Sequence, residues 1–202
     1  MFVKNCMTPN PITVAPEEDV KNTFNLLNKQ GFRQVPVVKN ENLVGIVTDR
    51  NLRVAVMKEN HHIVADVMSS NPVTISEDST IEESAQIICG HKFNALPVLS
   101  KRGELVGIIT VTDILKGLLN LLGFHSNPVR LRVQISEGVD VYNVHKVLKD
   151  CSDRVVSFSS SEEGYDIFYF WLIGCDFDKL DRKLDEGKLD IDVTYSEGSK
   201  VT

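Results

Sequence analysis

The stretch Leu43-Val44-Gly45-Ile46-Val47-Thr48 returns later in the chain as Leu105-Val106-Gly107-Ile108-Ile109-Thr110. A second pair precedes it, because Met7-Thr8-Pro9-Asn10-Pro11-Ile12-Thr13-Val14 returns as Met68-Ser69-Ser70-Asn71-Pro72-Val73-Thr74-Ile75. The copies are offset by 61 residues in the opening stretch and by 62 in the apolar stretch. A unit of ~60 residues buries too little surface to be comfortably stable alone, so repeated units normally stack and share a core. We therefore predict two paired repeats with a ligand cleft at their seam.

The composition is that of an ordinary globular protein. The chain has 202 residues, of which 42% are hydrophobic and 25% charged, enough for one or two domains. Its formal net charge of −6 offers no basic stripe to a phosphate backbone, so we expect no nucleic-acid partner. No apolar run reaches the ~18 residues of a membrane helix, and the first residues lack the apolar core of a signal peptide. The sequence therefore predicts a cytoplasmic protein without a membrane partner.

The cysteines and histidines do not form a metal-binding pattern. Cys6, Cys89, Cys151 and Cys175 include no Cys-x-x-Cys pair, so we expect buried or half-buried thiols and no metal. The pair His61-His62 is interpreted as a solvated linker, with a hydrogen-bonding or metal-binding role left open. Acidic residues near the C-terminus alternate with Lys and Arg, which is typical of a solvated helix face rather than a calcium loop.

Each repeat is predicted to read strand, helix, strand, strand, helix. The opening strands are placed at Pro11–Val14 and Pro72–Ile75. Ser79-Thr80-Ile81-Glu82 has the form of a capping box with Ser79 as the cap, and Pro16 suits the first turn of the helix in repeat one. Two β-like runs joined by a polar turn then predict a hairpin in each repeat. The helices carry apolar stripes at i, i+4 and i+7, namely Val20, Phe24 and Leu27, and Ile81, Ala85 and Ile88.

The last third of the chain has a different pattern. Turn-forming residues at Gly123–Pro128 mark a boundary. Beyond it, alternating strands and two amphipathic helices predict the order βαββαβ, the split arrangement of ferredoxin-like modules. We therefore expect an α/β (α+β) protein with domains at residues 1–62, 63–123 and 129–195.

Thr110 and Asp113 lie three positions apart where a strand gives way to a helix. This spacing suits a ribosyl phosphate, because a helix N-terminus favours an anion, Thr110 can donate a hydrogen bond and Asp113 can accept from two ribose hydroxyls. A simple Thr/Asp helix cap explains the same two residues. The recurrence of the threonine after the same strand in repeat one favours the binding site.

These motifs resemble a known family. The repeated Asn-Pro-(Ile/Val)-Thr opening, the Pro-Val strand and the Gly-x-x-Thr-x-x-Asp ending resemble a tandem pair of cystathionine β-synthase (CBS) domains, a Bateman module, over residues 1–123. The resemblance implies a regulatory, non-catalytic homodimer that binds an adenine nucleotide between its repeats and acts on an unidentified partner protein. The implied ligands are AMP, ADP, ATP, S-adenosylmethionine or cyclic di-AMP, and no cofactor is required.

The resemblance also assigns residues to the site. Thr110 and Asp113 match the phosphate and ribose contacts. Asn51 stands where repeat two has Asp113, and it lacks the charge of a strong acceptor for a diol, so we rank the second site above the first. The segments that enclose the base are Asn71, Val73 and Thr74 with Asn94, Ala95, Leu96 and Pro97, and their counterparts in repeat one are Asn10 to Thr13, Arg33 to Pro36 and Thr48.

Phosphate requires cations, and an adenine ring requires apolar walls. Arg50 and Lys92 are the preferred cations because they flank motif segments, with Arg33, Arg53 and His91 as further candidates. The aliphatic side chains expected around the ring are Ile12, Val35, Val73 and Leu96.

Residues 129–195 resemble an ACT domain by element order. In that family small amino acids often bind at the first strand-to-helix turn, across a dimer interface. The corresponding residues here are Glu137, Gly138, Val139 and Asp140, and a packing module without a ligand remains an equal alternative. Tandem CBS domains followed by an ACT-like domain resemble the acetoin-utilisation accessory proteins of the AcuB type. The alternative function is a ligand-free scaffold or accessory subunit with degenerate CBS sites, for which Asn51 is the best sequence support.

Overall fold

The structure is a computed structural model that describes residues 1–58, 63–122, 128–135, 139–160, 166–187 and 191–196. The chain divides into two compact units, Met1–Gly117 and Leu118–Thr202, which are described separately. The pair His61-His62 and most of the Gly123–Pro128 boundary lie outside the described residues. Among the helices of the described ranges, none is both long and apolar enough to cross a membrane.

The N-terminal unit contains the two repeats. Repeat one consists of β1 (Thr8–Pro9), α1 (Val20–Gln30), β2 (Gln34–Lys39), β3 (Asn42–Thr48) and α2 (Asp49–Lys58). Repeat two consists of β4 (Ser69–Ser70), β5 (Ile75–Ser76), α3 (Ile81–His91), β6 (Ala95–Leu99), β7 (Leu105–Thr110) and α4 (Val111–Leu121). The strand pairs β2–β3 and β6–β7 are antiparallel, which confirms the predicted hairpins.

The opening segment of each repeat crosses to the sheet of the other. Thr8 of β1 pairs with Ile108 of β7, and Ser69 of β4 pairs with Ile46 of β3. The sheets accordingly have the orders β1-β7-β6-β5 and β2-β3-β4. The predicted opening strands are therefore wrong in extent, because in Pro11–Val14 only Val14 makes a β-bridge, and Pro72–Ile75 is paired only at its end, in β5.

Backbone hydrogen bonds make this exchange reciprocal. The Val3 amide donates to the Ser79 carbonyl at 2.8 Å, and the Val64 amide donates to the Glu18 carbonyl at 2.9 Å. In each bond the accepting carbonyl lies just before the first helix of its repeat, and the donating amide belongs to the other repeat. Each repeat thus depends on the other for an edge strand and for backbone partners, which is the physical reason why the two copies occur together.

Close packing explains why methionine and glycine recur in both motifs. A Cβ atom on Gly45 would lie 2.6 Å from Met68 Sδ and 3.1 Å from the Ser69 carbonyl oxygen. A Cβ on Gly107 would overlap Met7 Sδ in the same way. Only glycine lets the crossing segment approach the strand so closely.

The cap of α3 lies one residue later than predicted. Thr80, not Ser79, is the N-cap: its hydroxyl accepts from the Glu83 amide at 3.2 Å, and the Glu83 carboxylate accepts from the Thr80 amide at 3.0 Å. The prediction chose Ser79 and Glu82. The fully buried Ile81 decides the register, because it has to begin the helix to place the stripe Ile81, Ser84 and Ile88 against the core.

Helix α1 also begins later than Pro16 implied. Its N-cap is Asp19, whose carboxylate accepts from the Asn22 amide at 2.9 Å. Pro16 lies outside the helix, and its carbonyl accepts instead from the Ala65 amide of repeat two. The predicted stripe is confirmed at Val20 and Leu27, while Phe24 is only half-buried.

The C-terminal unit has the predicted order βαββαβ. Its elements are β8 (Val129–Ile135), α5 (Val141–Asp150), β9 (Arg154–Ser160), β10 (Ile167–Ile173), α6 (Phe177–Gly187) and β11 (Ile191–Ser196). They form an antiparallel sheet of order β11-β8-β10-β9. Leu131, Val133, Phe170 and Leu172 form its buried core with Val144 and Leu148 of α5.

The cysteines differ in exposure. Cys151 is buried, Cys6 and Cys175 are half-buried, and all three agree with the prediction. Cys89 is exposed, which contradicts it. Cys89 follows the buried Ile88 on α3, so the helical rotation of one residue turns its side chain towards solvent.

Candidate functional site

A cavity of about 470 Å³ lies within the N-terminal unit, between the two repeats. Repeat one contributes Pro11 and Ile12 of its opening segment and residues 31–34, which run from the C-cap of α1 to the first residue of β2. Repeat two contributes Asn94 and Ala95 and the junction of β7 with α4, Thr110–Thr112. This volume is typical of a site for a small organic ligand.

The exchange of opening segments assembles this cavity. Thr8 and Pro9 are paired with Ile108 and Gly107, so the residues that follow them run beside the end of β7. The candidate residues predicted from the sequence fall into one group per repeat, whereas the cavity joins the opening segment of repeat one to the strand–helix junction of repeat two. The sequence pattern alone could not show this crossing, because it depends on which sheet accepts β1.

Asn10 and Asn71 owe their recurrence to backbone geometry. Both have left-handed conformations, with φ of 47° and 51°, and their amides donate to the carbonyls of Val106 and Val44 respectively. Asparagine is among the few residues other than glycine that adopt such angles readily. They turn each opening segment as it leaves the other repeat's sheet.

The cavity combines one positive charge with apolar and hydroxyl groups. Among its described lining residues, Arg33 carries the only ionisable side chain. Ile12, Phe32 and Ile108 supply apolar surface, and Thr110 and Thr112 supply hydroxyls. Such a wall suits an anionic group joined to a flat apolar ring.

Asp113 is turned to the start of its own helix. The Thr110 amide and hydroxyl donate to Asp113 Oδ2 at 2.9 and 2.7 Å, and the Asp113 amide donates to Thr110 Oγ1 at 3.2 Å. This is a capping box, and Asp113 is not among the residues that line the cavity.

The Asp113 carboxylate also affects a nearby thiol. Burial is the main cause that raises the pKa of the Cys6 thiol, and the negative charge of Asp113 raises it further.

Asn51 performs a related task in repeat one. The Thr48 hydroxyl donates to Asn51 Oδ1, and the Asn51 amide group Nδ2 donates to the Val67 carbonyl at 2.9 Å. This second bond ties α2 to the opening segment of repeat two. A carboxylate cannot donate such a bond, which gives a physical reason for asparagine where repeat two has aspartate.

A second, more open depression of about 320 Å³ lies beside α2. It is lined by the exposed cations Arg50 and Lys58, with Asn51 and the apolar Val54, Ala55 and Val67. Arg50 and Asn51 were predicted site residues, and the structure brings them together here rather than in the larger cavity.

Val35 and Leu96 do not line the cavity, which contradicts the expectation that they surround an adenine ring. Each is only 1% exposed, within the hairpin of its repeat. Side chains alternate across a strand, so the neighbouring Gln34 and Ala95 reach the cavity instead. Pro97 is buried as well.

The remaining predicted residues do not line the larger cavity. Val73 is exposed, and the Thr48 hydroxyl donates to Asn51 at the start of α2. Thr74 is likewise absent from the cavity wall. Lys92 is the left-handed C-cap of α3, His91 stacks on Phe93 with ring centroids 5.1 Å apart, and Arg53 forms an ion pair with Asp49 at 3.0 Å.

The site residues predicted from the sequence omit six lining residues, namely Thr8, Gly31, Phe32, Ile108, Val111 and Thr112. Phe32 precedes Arg33, and Val111 and Thr112 follow Thr110 in the first turn of α4, so their position beside predicted residues was the signal that could have found them.

At the predicted amino-acid site, Glu137 and Gly138 lie outside the described residues. Val139 packs against the core of the C-terminal unit. Asp140 is the N-cap of α5, and its carboxylate accepts from the Tyr142 amide at 2.9 Å.

Comparisons with known proteins agree with the repeat pattern. A family model described as CBS domain matches residues 3–58 and 64–120. An inosine-5′-monophosphate dehydrogenase of Korarchaeum cryptofilum is 36% identical over 103 residues, which are 51% of this chain and 21% of that enzyme. The chain thus spans about a fifth of that relative's length. A CBS domain-containing protein of Dictyostelium discoideum is 34% identical over 136 residues, covering 60% of this chain and 94% of that protein.

Solved structures resemble the chain over a similar share. CBSX2 of Arabidopsis thaliana in complex with AMP has a TM-score of 0.54 and 28% identity, covering 59% of this chain and 96% of that one. A putative acetoin utilization protein (AcuB) from Vibrio cholerae has a TM-score of 0.56 and 30% identity, covering 62% and 95%. A CBS domain pair in complex with 5′-methylthioadenosine and S-adenosyl-L-methionine has a TM-score of 0.54 and 25% identity, covering 58% and 99%.

Proposed function

The chain belongs to the CBS domain family, and on that premise we propose that its tandem CBS pair binds an adenine nucleotide as a regulatory ligand. The family is regulatory and non-catalytic. The observation that carries the proposal is the cavity between the repeats, in which Arg33 faces a space also lined by Thr110 and Thr112. The neighbouring structures with AMP or S-adenosylmethionine support this class of ligand.

The charge of the cavity favours ligands with a phosphate. Arg33 has no acidic neighbour among the described lining residues, so it attracts the phosphate of AMP, ADP, ATP or cyclic di-AMP. S-adenosylmethionine carries a sulfonium cation, which Arg33 disfavours. We therefore rank the phosphate-bearing ligands first, and the protein requires no cofactor.

The proposed regulation works through the relative arrangement of the repeats. A ligand in the cavity touches the opening segment of repeat one and the β7–α4 junction of repeat two at once. It stabilises the arrangement in which both walls contact it, by as much as its affinity for that arrangement exceeds its affinity for others. An unidentified partner protein then recognises the stabilised arrangement of the repeats.

The C-terminal unit is proposed to be an ACT-like domain at residues 129–195, following CBS domains at residues 1–62 and 63–123. Its βαββαβ order and its sheet order support this assignment. We assign it dimerisation of the chain or amino-acid sensing. A homodimer, a cytoplasmic location and a role like that of AcuB-type accessory proteins belong to the same proposal.

The direct test is ligand binding by the purified full chain. A ligand at ~100 times its dissociation constant adds roughly 2.7 kcal/mol of stability, which a thermal-shift assay detects. We expect a shift with at least one phosphate-bearing adenine ligand and a smaller shift with S-adenosylmethionine. Mass spectrometry of nucleotides released from the purified protein provides an independent measurement.

A ligand-free scaffold is the second candidate function. The observation in its favour concerns Asp113, the residue expected to bind ribose. Its carboxylate accepts hydrogen bonds from the Thr110 amide and hydroxyl, and Asp113 does not line the cavity. No shift with any of the five ligands, together with no co-purified nucleotide, would refute the sensor and favour the scaffold.

A further inference from the structure

The sheet of the C-terminal unit has one face without a helix. Helices α5 and α6 pack on the buried residues of β8 and β10, so the residues between them lie on the opposite face, because side chains alternate across a strand. Arg154 of β9 joins this face, since it pairs with Ile173 of β10. The basic and aromatic residues of this surface, here called the aromatic–arginine face, are Arg130, Arg132, Arg154, Tyr169 and Trp171.

The arginines of this face are held by its rings and not by acidic side chains. The guanidinium carbon of Arg130 lies 4.1 Å from the ring centroid of Tyr169 and 5.9 Å from that of Trp171. Arg132 donates to Gln134 Oε1 at 3.4 Å. Among the described residues, no arginine of the face forms an ion pair. A guanidinium held over a ring keeps N–H groups for a carboxylate and loses little further freedom when it binds one.

The composition of the face is that of a protein-binding hot spot. Trp, Tyr and Arg are the residues that most often dominate the binding energy of protein interfaces. Arg130 and Arg154 are exposed, while Tyr169 and Trp171 are half-buried and offer ring surface. The charged side chains described on this face are all positive, so a second copy of the same face would bring like charges together. The charge therefore favours an acidic occupant.

The size of the face also argues against a second copy. Strands β8, β9 and β10 have seven residues each, which at ~3.3 Å per residue gives a length of about 23 Å. Four strands ~4.8 Å apart span about 19 Å, so the face covers roughly 440 Å². A stable dimer buries about 800 Å² per partner. An extended segment of about seven residues fits the length of the strands.

We propose that the aromatic–arginine face is a docking surface for an acidic segment of a partner protein. The carboxylates of the segment accept hydrogen bonds from the arginines, and its apolar side chains pack on Tyr169 and Trp171. A nucleic acid is disfavoured because the chain carries a net charge of −6. The inference rests on the proposed function in one respect, because it assigns a chemical class to the regulated partner.

The test uses the full chain without nucleotide. A phage-displayed library of random dodecapeptides is selected on the immobilised protein, and the most frequent peptide is synthesised with a fluorescein label. We expect the selected peptides to be enriched in Asp and Glu and to include an aromatic residue. Fluorescence anisotropy should show binding about tenfold weaker for Arg130→Gln, and added salt should weaken binding by the unmodified protein. Arg182→Gln is the matched control, because Arg182 is exposed on α6, on the helix-covered side of the sheet.

The outcomes distinguish the possible occupants. Selected peptides without acidic enrichment, or equal binding by Arg130→Gln and Arg182→Gln, overturn the proposal. It is also overturned if a labelled oligothymidylate binds more tightly than the peptide and Arg130→Gln abolishes that binding, which assigns the face to nucleic acid. A dimer that dissociates on Arg130→Gln in analytical ultracentrifugation assigns the face to a second copy instead. If Arg130→Gln does not fold, Arg154→Gln replaces it.

Failure of this proposal can be told from failure of the proposed function. Peptide binding is measured without an adenine ligand, and the thermal-shift assay is measured without a peptide. Loss of the first with the second intact removes only the docking surface. Loss of the second with the first intact removes the nucleotide sensor and leaves the docking surface in place.

Discussion

Met7 of repeat one lies so close to Gly107 of repeat two that a methyl group on the glycine would overlap its sulfur atom. The equivalent contact joins Met68 of repeat two to Gly45 of repeat one. These two contacts hold the crossing segments against β7 and β3, and so they support one wall of the cavity.

Gly107→Ala is expected to destabilise the protein by about 1–3 kcal/mol, because the added methyl group displaces Met7 and strains the β1–β7 pairing. Urea denaturation measures the loss. Gly90→Ala is the matched control: nothing lies near a Cβ at that exposed helical position, so it should stabilise the protein by about 0.5–1 kcal/mol. If Gly107→Ala is as harmless as Gly90→Ala, the packing of Met7 on the strand is not tight.

Asp113→Ala should reduce stability by about 1 kcal/mol, because Thr110 loses its partner in the capping box at the start of α4. Asp113→Asn should cost less, since Asn51 fulfils the equivalent task beside Thr48. Chemical denaturation gives both values. We expect AMP affinity to change less than stability. A large loss of affinity with unchanged stability would instead place Asp113 in contact with the ligand.

Arg33→Gln should weaken AMP binding about tenfold or more, because it removes the cation among the described residues of the cavity wall. Adenosine, which has no phosphate, should bind both proteins alike. Arg53→Gln is the control, because Arg53 is exposed and paired with Asp49 on α2. Equal losses for AMP and adenosine would show that Arg33 acts on the base or the sugar and not on the phosphate.

Glu83 should contribute to the acid sensitivity of folding. The hydrogen bond from the Thr80 amide, assisted by the Ser79 hydroxyl, holds the pKa of Glu83 below its ordinary value of 4.5. Because the pKa of Glu83 is lower in the folded than in the unfolded protein, the ionised carboxylate stabilises the folded state above about pH 4.5, the ordinary value. This stabilisation is lost as the pH falls through the folded-state pKa. The stability gap between the unmodified protein and Glu83→Gln should therefore narrow from pH 6 to about pH 3. Glu82→Gln, one position earlier, serves as the control, and an equal narrowing there would argue against the capping bond as its cause.

Cys89 should be the first thiol to react in the folded protein. It is exposed, whereas burial, assisted by Cys151, raises the pKa of the Cys175 thiol to about 11, so Cys175 stays protonated near pH 8. Alkylation with iodoacetamide, followed by peptide mass spectrometry, measures the order. Cys89→Ser should remove the fast phase. Rapid labelling of Cys175 before Cys89 would contradict the burial of its sulfur.

Local patterns in the sequence determined the elements of this protein. The recurrence of the Leu-Val-Gly stretch and the apolar stripe of Val20 and Leu27 identified two repeats with hairpins and helices. The alternation from Val129 onward identified the βαββαβ order of the last unit. These features depend on residues near one another in the chain, so their periodicity is visible without coordinates.

Only the tertiary structure decided which segments of the two repeats meet. The exchange that places Ile12 beside Thr110 depends on strand pairing over about a hundred residues, which no local pattern encodes. The tertiary structure also decided that the Val35 side chain lies in the core and that the Gln34 side chain lies in the cavity wall. Which face of a strand is buried depends on what packs against each side of the sheet. The residue types available for a ligand site could therefore be identified from the sequence. Their grouping into one cavity was set by long-range packing.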